Sequence, residues 1–269
     1  MKQVDTHAHI FNADVPVVEG ARYRPAQSAS VESYIQHLDQ YGFDYGVLIQ
    51  PSFLGYDNSQ MLAAIAAYPD RLKGIAVVPV DSELAALQSL KEQGIVGVRL
   101  NLFGKDIPDL RQAEWQLFLN LLTQLDWQLE LHCPPSYLVA MMPALQDFSG
   151  PIVLDHFARV DPEKSVEDPD YQTVLKHLDP SRYWVKVSAF YRLGSGKAAM
   201  ENAEKALKLL LAHGMEDRLV WGSDWPHTQH EEQVSYNSNV EFLQSMVQDP
   251  ILKQKILSQN ALSLFRLEA

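Results

Sequence analysis

The 269-residue chain predicts a (β/α)8 TIM barrel, on three observations. Eight short, β-rich apolar runs recur from end to end, each followed by a helix-like segment, and strand–helix alternation predicts parallel strands. Eight such units over about 250 residues match the size of a closed barrel. No glycine-rich phosphate fingerprint follows the first run, which weakens the rival open, doubly wound sheet in its dinucleotide-binding form.

The strand-like runs are, in order, QVDTHAHI, YGVLIQ, GIAVVPV, VGVRLN, WQLELH, PIVLDH, YWVKVS and RLVWGSD. Between them lie helical patterns such as SVESYIQHLDQYG, NSQMLAAIAAYP and SELAALQSLKEQG. The third begins at a plausible cap, Asp81 or Ser82, and stops at Gly94. A longer one, GKAAMENAEKALKLLLAHG, places Ala203, Ala206, Leu207, Leu210 and Leu211 at helical spacing and closes on Gly214. The irregular stretches follow runs one, four, six and eight, on the strand-to-helix side where barrel enzymes build their sites. No internal repeat or linker interrupts the pattern, so residues 1–269 read as one barrel with elaborated loops.

A formal net charge of -12 argues against nucleic acid or an anionic membrane as the main partner, yet leaves room for a local basic pocket. The single cysteine, Cys133, excludes an intrachain disulfide and suits a reducing compartment. With no secretory signal and no apolar run long enough to span a bilayer, the chain reads as cytoplasmic, monomer or homodimer alike.

Chemistry collects at the strand ends. The first run ends with His7 and His9, which share a face by strand alternation. The fifth ends with His132, the sixth with Asp155 and His156, and the eighth with Asp224. Arg99 ends the fourth, and Ser188 the seventh, with Arg192 shortly beyond. Parallel strands bring these ends around one mouth. Each has an ordinary reading alone: a hydrogen-bonded structural histidine, a turn-capping Asp224, a solvated or paired arginine. Four strand-end histidines and an aspartate, among only nine histidines, make a site the better reading of the set. Asp155 points away from His156 by alternation and takes a structural role. Cys133 lies on the opposite face from His132 and reads as a buried, inert thiol. GSDWP is not the nucleophile elbow of a serine hydrolase.

DTHAHIF, LELH, VLDH and GSDWPH resemble, in order and placement, the strand-end motifs of the amidohydrolase superfamily. Within it the chain is similar to the branch of 2-pyrone-4,6-dicarboxylate lactonase and related sugar-lactone and muconolactone hydrolases, from Val4 to Leu267. The resemblance implies hydrolysis of a cyclic ester. Asp224 would be the general base for water, and His7, His9 and His156 would polarise the carbonyl. Arg99, Arg192, Lys105, Ser52 and His132 would contact an anionic lactone. Two positions depart from the branch: Lys105 stands where it has an arginine, and His132 where it has a tyrosine. Lysine keeps the charge and loses the bidentate fork, so the substrate is expected to differ from the dicarboxylated pyrone.

The cofactor expectation is twofold: none obligatory, as in the pyrone lactonase branch, or one divalent ion, zinc by ligand type, on His7, His9, His132 and Asp224. The run GVRLN lacks the lysine that bridges two metals in other members. Rival functions are a zinc- or manganese-dependent decarboxylase of the same superfamily, a lactone isomerase, and a non-catalytic barrel that binds small acids.

Overall fold

The computed structural model describes residues 1–268. Eight parallel strands follow one another around a single sheet in sequence order: β1 (Val4–Ala8), β2 (Tyr45–Ile49), β3 (Leu72–Ala76), β4 (Ile95–Asn101), β5 (Gln128–His132), β6 (Ile152–Leu154), β7 (Tyr183–Lys186) and β8 (Leu219–Val220). Helices α1 (Val31–Tyr41), α2 (Ser59–Ala67), α3 (Leu84–Glu92), α4 (Ala113–Leu125), α5 (Pro135–Met141), α6 (Pro169–His177), α7 (Gly196–Ala212) and α8 (Tyr236–Met246) alternate with them. Two short helices, α9 (Pro250–Gln254) and α10 (Asn260–Phe265), complete the chain. This is the (β/α)8 barrel that the alternation predicts.

All eight runs become strands, with local differences. β3 starts before its apolar run and stops at Ala76, because the Asn58 side chain takes over both Val77 backbone groups, at 3.2 and 2.9 Å. α3 begins later than the expected cap. Glu83 stands at its N-cap position without a side-chain bond, while the Ser82 hydroxyl donates to the Pro79 carbonyl at 2.7 Å.

β8 has only two residues, yet the ring closes beyond it. Thr6 donates its N–H to Trp221 O at 3.0 Å, Asp224 donates to His7 O at 2.8 Å, and His9 donates to Trp225 O at 2.8 Å. Gly222 makes this seam possible: a Cβ there would lie 2.5 Å from the His7 Cβ and 2.6 Å from its backbone nitrogen. The buried Asp5 carboxylate pins the same seam. It accepts from the Ser223 backbone at 2.8 Å, the Ser223 hydroxyl at 2.7 Å and Tyr236 OH at 3.0 Å.

Two apolar clusters carry most of the packing, beside a small third one of Ala189, Tyr191 and Val234. The larger lies between sheet and helices, with Leu38, Leu87, Leu122 and Tyr171 among its members. The smaller joins Val47, Ile49, Ile75 and Val153 to Phe265 of α10. No helix among the described residues is long and apolar enough to cross a membrane.

Candidate active site

Strand alternation puts Asp5, His7 and His9 on one side, and likewise Arg99 with Asn101, Glu130 with His132, and Lys186 with Ser188. Arg99, Glu130 and Lys186, with Asp155 from the end of β6, form a buried layer of two cations and two carboxyl groups. Arg99 donates to Asp155 Oδ2 through Nε at 2.9 Å and Nη2 at 2.6 Å. Lys186 donates to Glu130 Oε2 at 2.5 Å and lies 3.7 Å from Asp155 Oδ1. Burial, opposed by Arg99 and Lys186, leaves the Asp155 carboxyl held well below its usual range. Burial and the neighbouring Asp155 push Glu130 up to about 7, against the pull of Lys186.

His7 rests on this layer, its Nδ1 3.3 Å from the Lys186 ammonium and 3.5 Å from Asp155 Oδ1. Its Nε2 has no hydrogen-bond partner among the described residues and lies 3.6 Å from Asp224 Oδ1. His9 Nδ1 sits 2.7 Å from the Ile49 carbonyl, which can only accept, so that nitrogen carries its proton and Nε2 faces Asp224 Oδ1 at 3.4 Å. His156 Nδ1 is 2.8 Å from the Ser188 hydroxyl, with Nε2 4.0 Å from the same Asp224 oxygen. Burial depresses His7 well below the usual imidazole range and His156 to about 3, so both are neutral near pH 7.

Asp224 is the focus of the set. Its Oδ2 accepts from Tyr191 OH at 2.6 Å and Arg192 Nε at 2.7 Å, leaving Oδ1 turned to the histidines. Burial alone would raise its pKa. The Arg192 guanidinium and the surrounding histidines outweigh that and hold it well below the carboxylate range. Its φ is 57°, in the left-handed region that non-glycine residues enter at a cost.

The four residues from His156 to Arg159 have φ of 49°, 58°, 55° and 57°, a left-handed turn closed by the Arg159 N–H on His156 O at 2.9 Å. Each L-residue in that conformation costs roughly 1–2 kcal/mol, and such strain gathers at functional sites.

A cavity of about 60 Å3 opens over Asp224, lined by His9, His132, His156 and four arginines: Arg22, Arg99, Arg159 and Arg192. A neighbouring cavity of about 240 Å3 shares Arg22, Ser52, Asn101 and Phe103 with it and reaches Lys105. Of the residues nominated from sequence, His9, His132, His156, Asp224, Arg99, Arg192 and Ser52 meet at the first cavity, with His7 against its floor. Lys105 is exposed and borders only the second. His132 stands with its Nδ1 3.3 Å from Asn101 Oδ1, apart from the tightest ligand-like clusters: His7, His9 and Asp224, and His7, Asp155 and His156. Burial pushes the Cys133 thiol up to about 12, which agrees with an inert cysteine.

Sequence reasoning passed over Glu130, Lys186, Arg22 and Arg159. Alternation carried the signal for the first two, each two residues below a nominated strand end. Arg159 and Arg22 sit in loops whose irregularity was visible and whose path was not.

An imidazole lone pair and a carboxylate oxygen 3.4 Å apart are two acceptors, and a proton, a water donating to both or a metal ion satisfies them. Ligands about 2.0–2.1 Å from a tetrahedral zinc are roughly 3.4 Å from each other, and the separations of Asp224 Oδ1 from His9 and His7 match that. His7, His9 and Asp224 therefore fit a single divalent ion.

A (β/α)8 barrel whose strand ends gather His7, His9, His132, His156 and Asp224 around one mouth is the arrangement of an amidohydrolase-type enzyme. The chain belongs to the amidohydrolase family, whose profile matches residues 4–267. It is similar to the crystal structure, with citric acid bound, of a probable 2-pyrone-4,6-dicarboxylic acid hydrolase from Acinetobacter baumannii: 49% identity, 99% of this chain, 100% of that chain and a TM-score of 0.98. It is 29% identical over 227 residues to 4-sulfomuconolactone hydrolase of Hydrogenophaga intermedia, covering 83% of this chain and 74% of the relative. To the 2-pyrone-4,6-dicarboxylate hydrolase of Comamonas testosteroni it is 26% identical over 277 residues, 97% of this chain and 89% of that one.

Proposed function

We propose that the protein opens the ring of a small lactone bearing at least one oxyanion substituent, with Asp224 as the base that activates water. The observation that carries this reading is the posture of Asp224: one oxygen anchored by Arg192 and Tyr191, the other presented to three histidines beneath a cation-lined cavity. The relatives named as lactone hydrolases support it.

Water held between Asp224 Oδ1 and the His9 Nε2 lone pair attacks the carbonyl carbon as Asp224 takes its proton. With the Lys186 ammonium against Nδ1, His7 carries its proton on Nε2 and donates it towards the developing oxyanion. His156 does the same when the Ser188 hydroxyl donates to its Nδ1. Collapse of the tetrahedral intermediate breaks the ring C–O bond, and Asp224 returns the proton to the departing oxygen, giving a hydroxy acid. A divalent ion on His7, His9 and Asp224 would supply Lewis-acid polarisation of the same carbonyl.

The test is a hydrolysis screen over pyrone dicarboxylates, muconolactones and aldonolactones, with and without chelator, beside metal analysis of the protein. Turnover that survives chelation makes the histidines direct electrophiles; turnover that vanishes with the metal makes His7, His9 and Asp224 its ligands. Absence of lactone turnover together with metal-dependent CO2 release from an aromatic acid would replace this reading with the decarboxylase.

A further inference from the structure

We propose that the end of the barrel where the strands begin holds a second ligand site, for a small monocarboxylate with an apolar body. Lys73 and Gln128 receive its carboxylate. The site lies at the opposite end from Asp224 and is independent of the lactonase reading.

A cavity of about 250 Å3 opens there, its walls drawn from β3, β4, β5 and α10. Strand alternation sets two of its lining residues on the inner face of the barrel: Lys73 with Ile75, and Gln128 with Glu130. Ile75 belongs to the inner cluster that includes Phe265 of α10. Gly97 of β4 leaves the room between them. A Cβ there would lie 2.4 Å from Gln128 Cγ and 3.2 Å from Ile75 Cδ1.

Two donors at this cavity have nothing to bond. Gln128 is 2% exposed, and its Nε2 has no hydrogen-bond partner among the described residues. A buried amide donor left unpaired is costly, and an acceptor that arrives from outside removes the cost. The half-buried Lys73 ammonium likewise has neither hydrogen bond nor ion pair among the described residues. The other charged groups of the lining are already used. Lys91 Nζ donates to the Leu125 carbonyl at 2.8 Å, and Arg266 pairs with Asp126.

Three cations against one carboxylate make this lining locally positive, in a chain whose net charge is -12. Such a local excess selects an anion. One free ammonium and one free amide suit a single carboxylate, which accepts from both. Val96, Leu264 and Phe265 supply an apolar wall, so the anion carries an aryl or branched alkyl body. The plainer alternative, a cavity filled by water that satisfies Gln128, predicts no affinity for a carboxylate.

The experiment titrates the protein calorimetrically with benzoate, acetate and benzamide, in the wild type and in Lys73→Met, Gln128→Leu and Arg192→Met. Benzoate is expected to bind the wild type. Acetate, without the body, and benzamide, without the charge, should bind about tenfold more weakly or worse. Lys73→Met and Gln128→Leu should each weaken benzoate about tenfold or more. Arg192→Met, at the opposite mouth, should leave its affinity as it is. Without ligand, Gln128→Leu should melt no lower than the wild type, because it removes an unpaired buried amide and keeps the volume. A Gln128→Leu variant too unstable to titrate overturns the role of Gln128, and Lys73→Met then decides the site. No benzoate affinity in the wild type at millimolar concentration overturns the proposal, as does an affinity unchanged in either strand variant. Affinity lost in Arg192→Met places benzoate in the Asp224 cavity and overturns it equally.

Discussion

The charged layer below the mouth and the ring of cations around it use similar residues to opposite ends. Below, Arg99 and Lys186 face Asp155 and Glu130, two positive charges against two negative, at hydrogen-bond distance. Above, Arg22, Arg159 and Arg192 surround a cavity with Asp224 as the one carboxylate among its described lining residues. Buried ions are tolerated where they are paired; unpaired, they imply a partner that arrives from outside. The lower layer is thus a support for His7 and the barrel, and the upper ring is a surface for an anion. Substitutions should separate the two: changes above should cost activity with little stability, and changes below should cost stability first.

The largest effect is expected at Asp224. Asp224→Asn keeps the size and some of the bonds to Arg192 and Tyr191 while removing the base, and general-base loss is worth roughly 10²–10⁴-fold in kcat. Circular dichroism should report an intact fold; retention of more than a few per cent of wild-type kcat would remove Asp224 from that role. Lys186→Met tests the lower layer. It strands Glu130 in the core, a change worth about 3–5 kcal/mol, seen as a melting temperature lower by about 10 °C. Without the ammonium, the folded-state pKa of Glu130 rises further above its value in the unfolded chain. The folded state then takes up a proton that the unfolded state does not, so the deficit should be smaller at pH 6 than at pH 8. Replacing both partners, Lys186→Met with Glu130→Leu, should restore most of the loss; a double variant as unstable as the sum of the singles would refute the pairing.

Arg192 belongs to both regions, because it touches Asp224 and lines the cavity. Burial alone would raise the Asp224 pKa, and Arg192 is the largest influence holding it down. Arg192→Met should therefore raise that pKa, and with it the acid limb of the kcat/KM profile. Activity would fall more at pH 5 than at pH 8, alongside a KM increase of about tenfold for charged lactones. An acid limb that does not move would show that Asp224 is not the group titrating there.

How far the sequence alone reached follows the same division. Strand order, the eight runs and the convergence of His9, His156 and Asp224 were legible, because alternation and barrel topology bring strand ends together whatever the loops do. The pairing of Lys186 with Glu130 was legible in principle from the same alternation. Arg159 was not, since its place depends on four consecutive left-handed residues that no propensity favours. Nor could spacing show that Arg99 spends its donors inside the protein. The engagement of an arginine depends on what lies across the barrel, and sequence distance does not report that.

Lys105 gives the smallest expected effect and the finest test of the comparison. The resemblance to pyrone lactonases puts it at a substrate carboxylate, yet it is exposed and borders the outer cavity, away from Asp224. An exposed ammonium contributes little to holding an anion, since water competes for it and salt screens it. Lys105→Met should therefore raise KM for a dicarboxylated lactone by only about two- to threefold, and the difference should fade in high salt. The effect of Arg192→Met on KM should persist there, because burial protects that guanidinium from screening. If Lys105→Met instead matched Arg192→Met in size and salt resistance, the outer cavity would be part of the anion site, and the line between open ring and paired layer would have to be drawn further out.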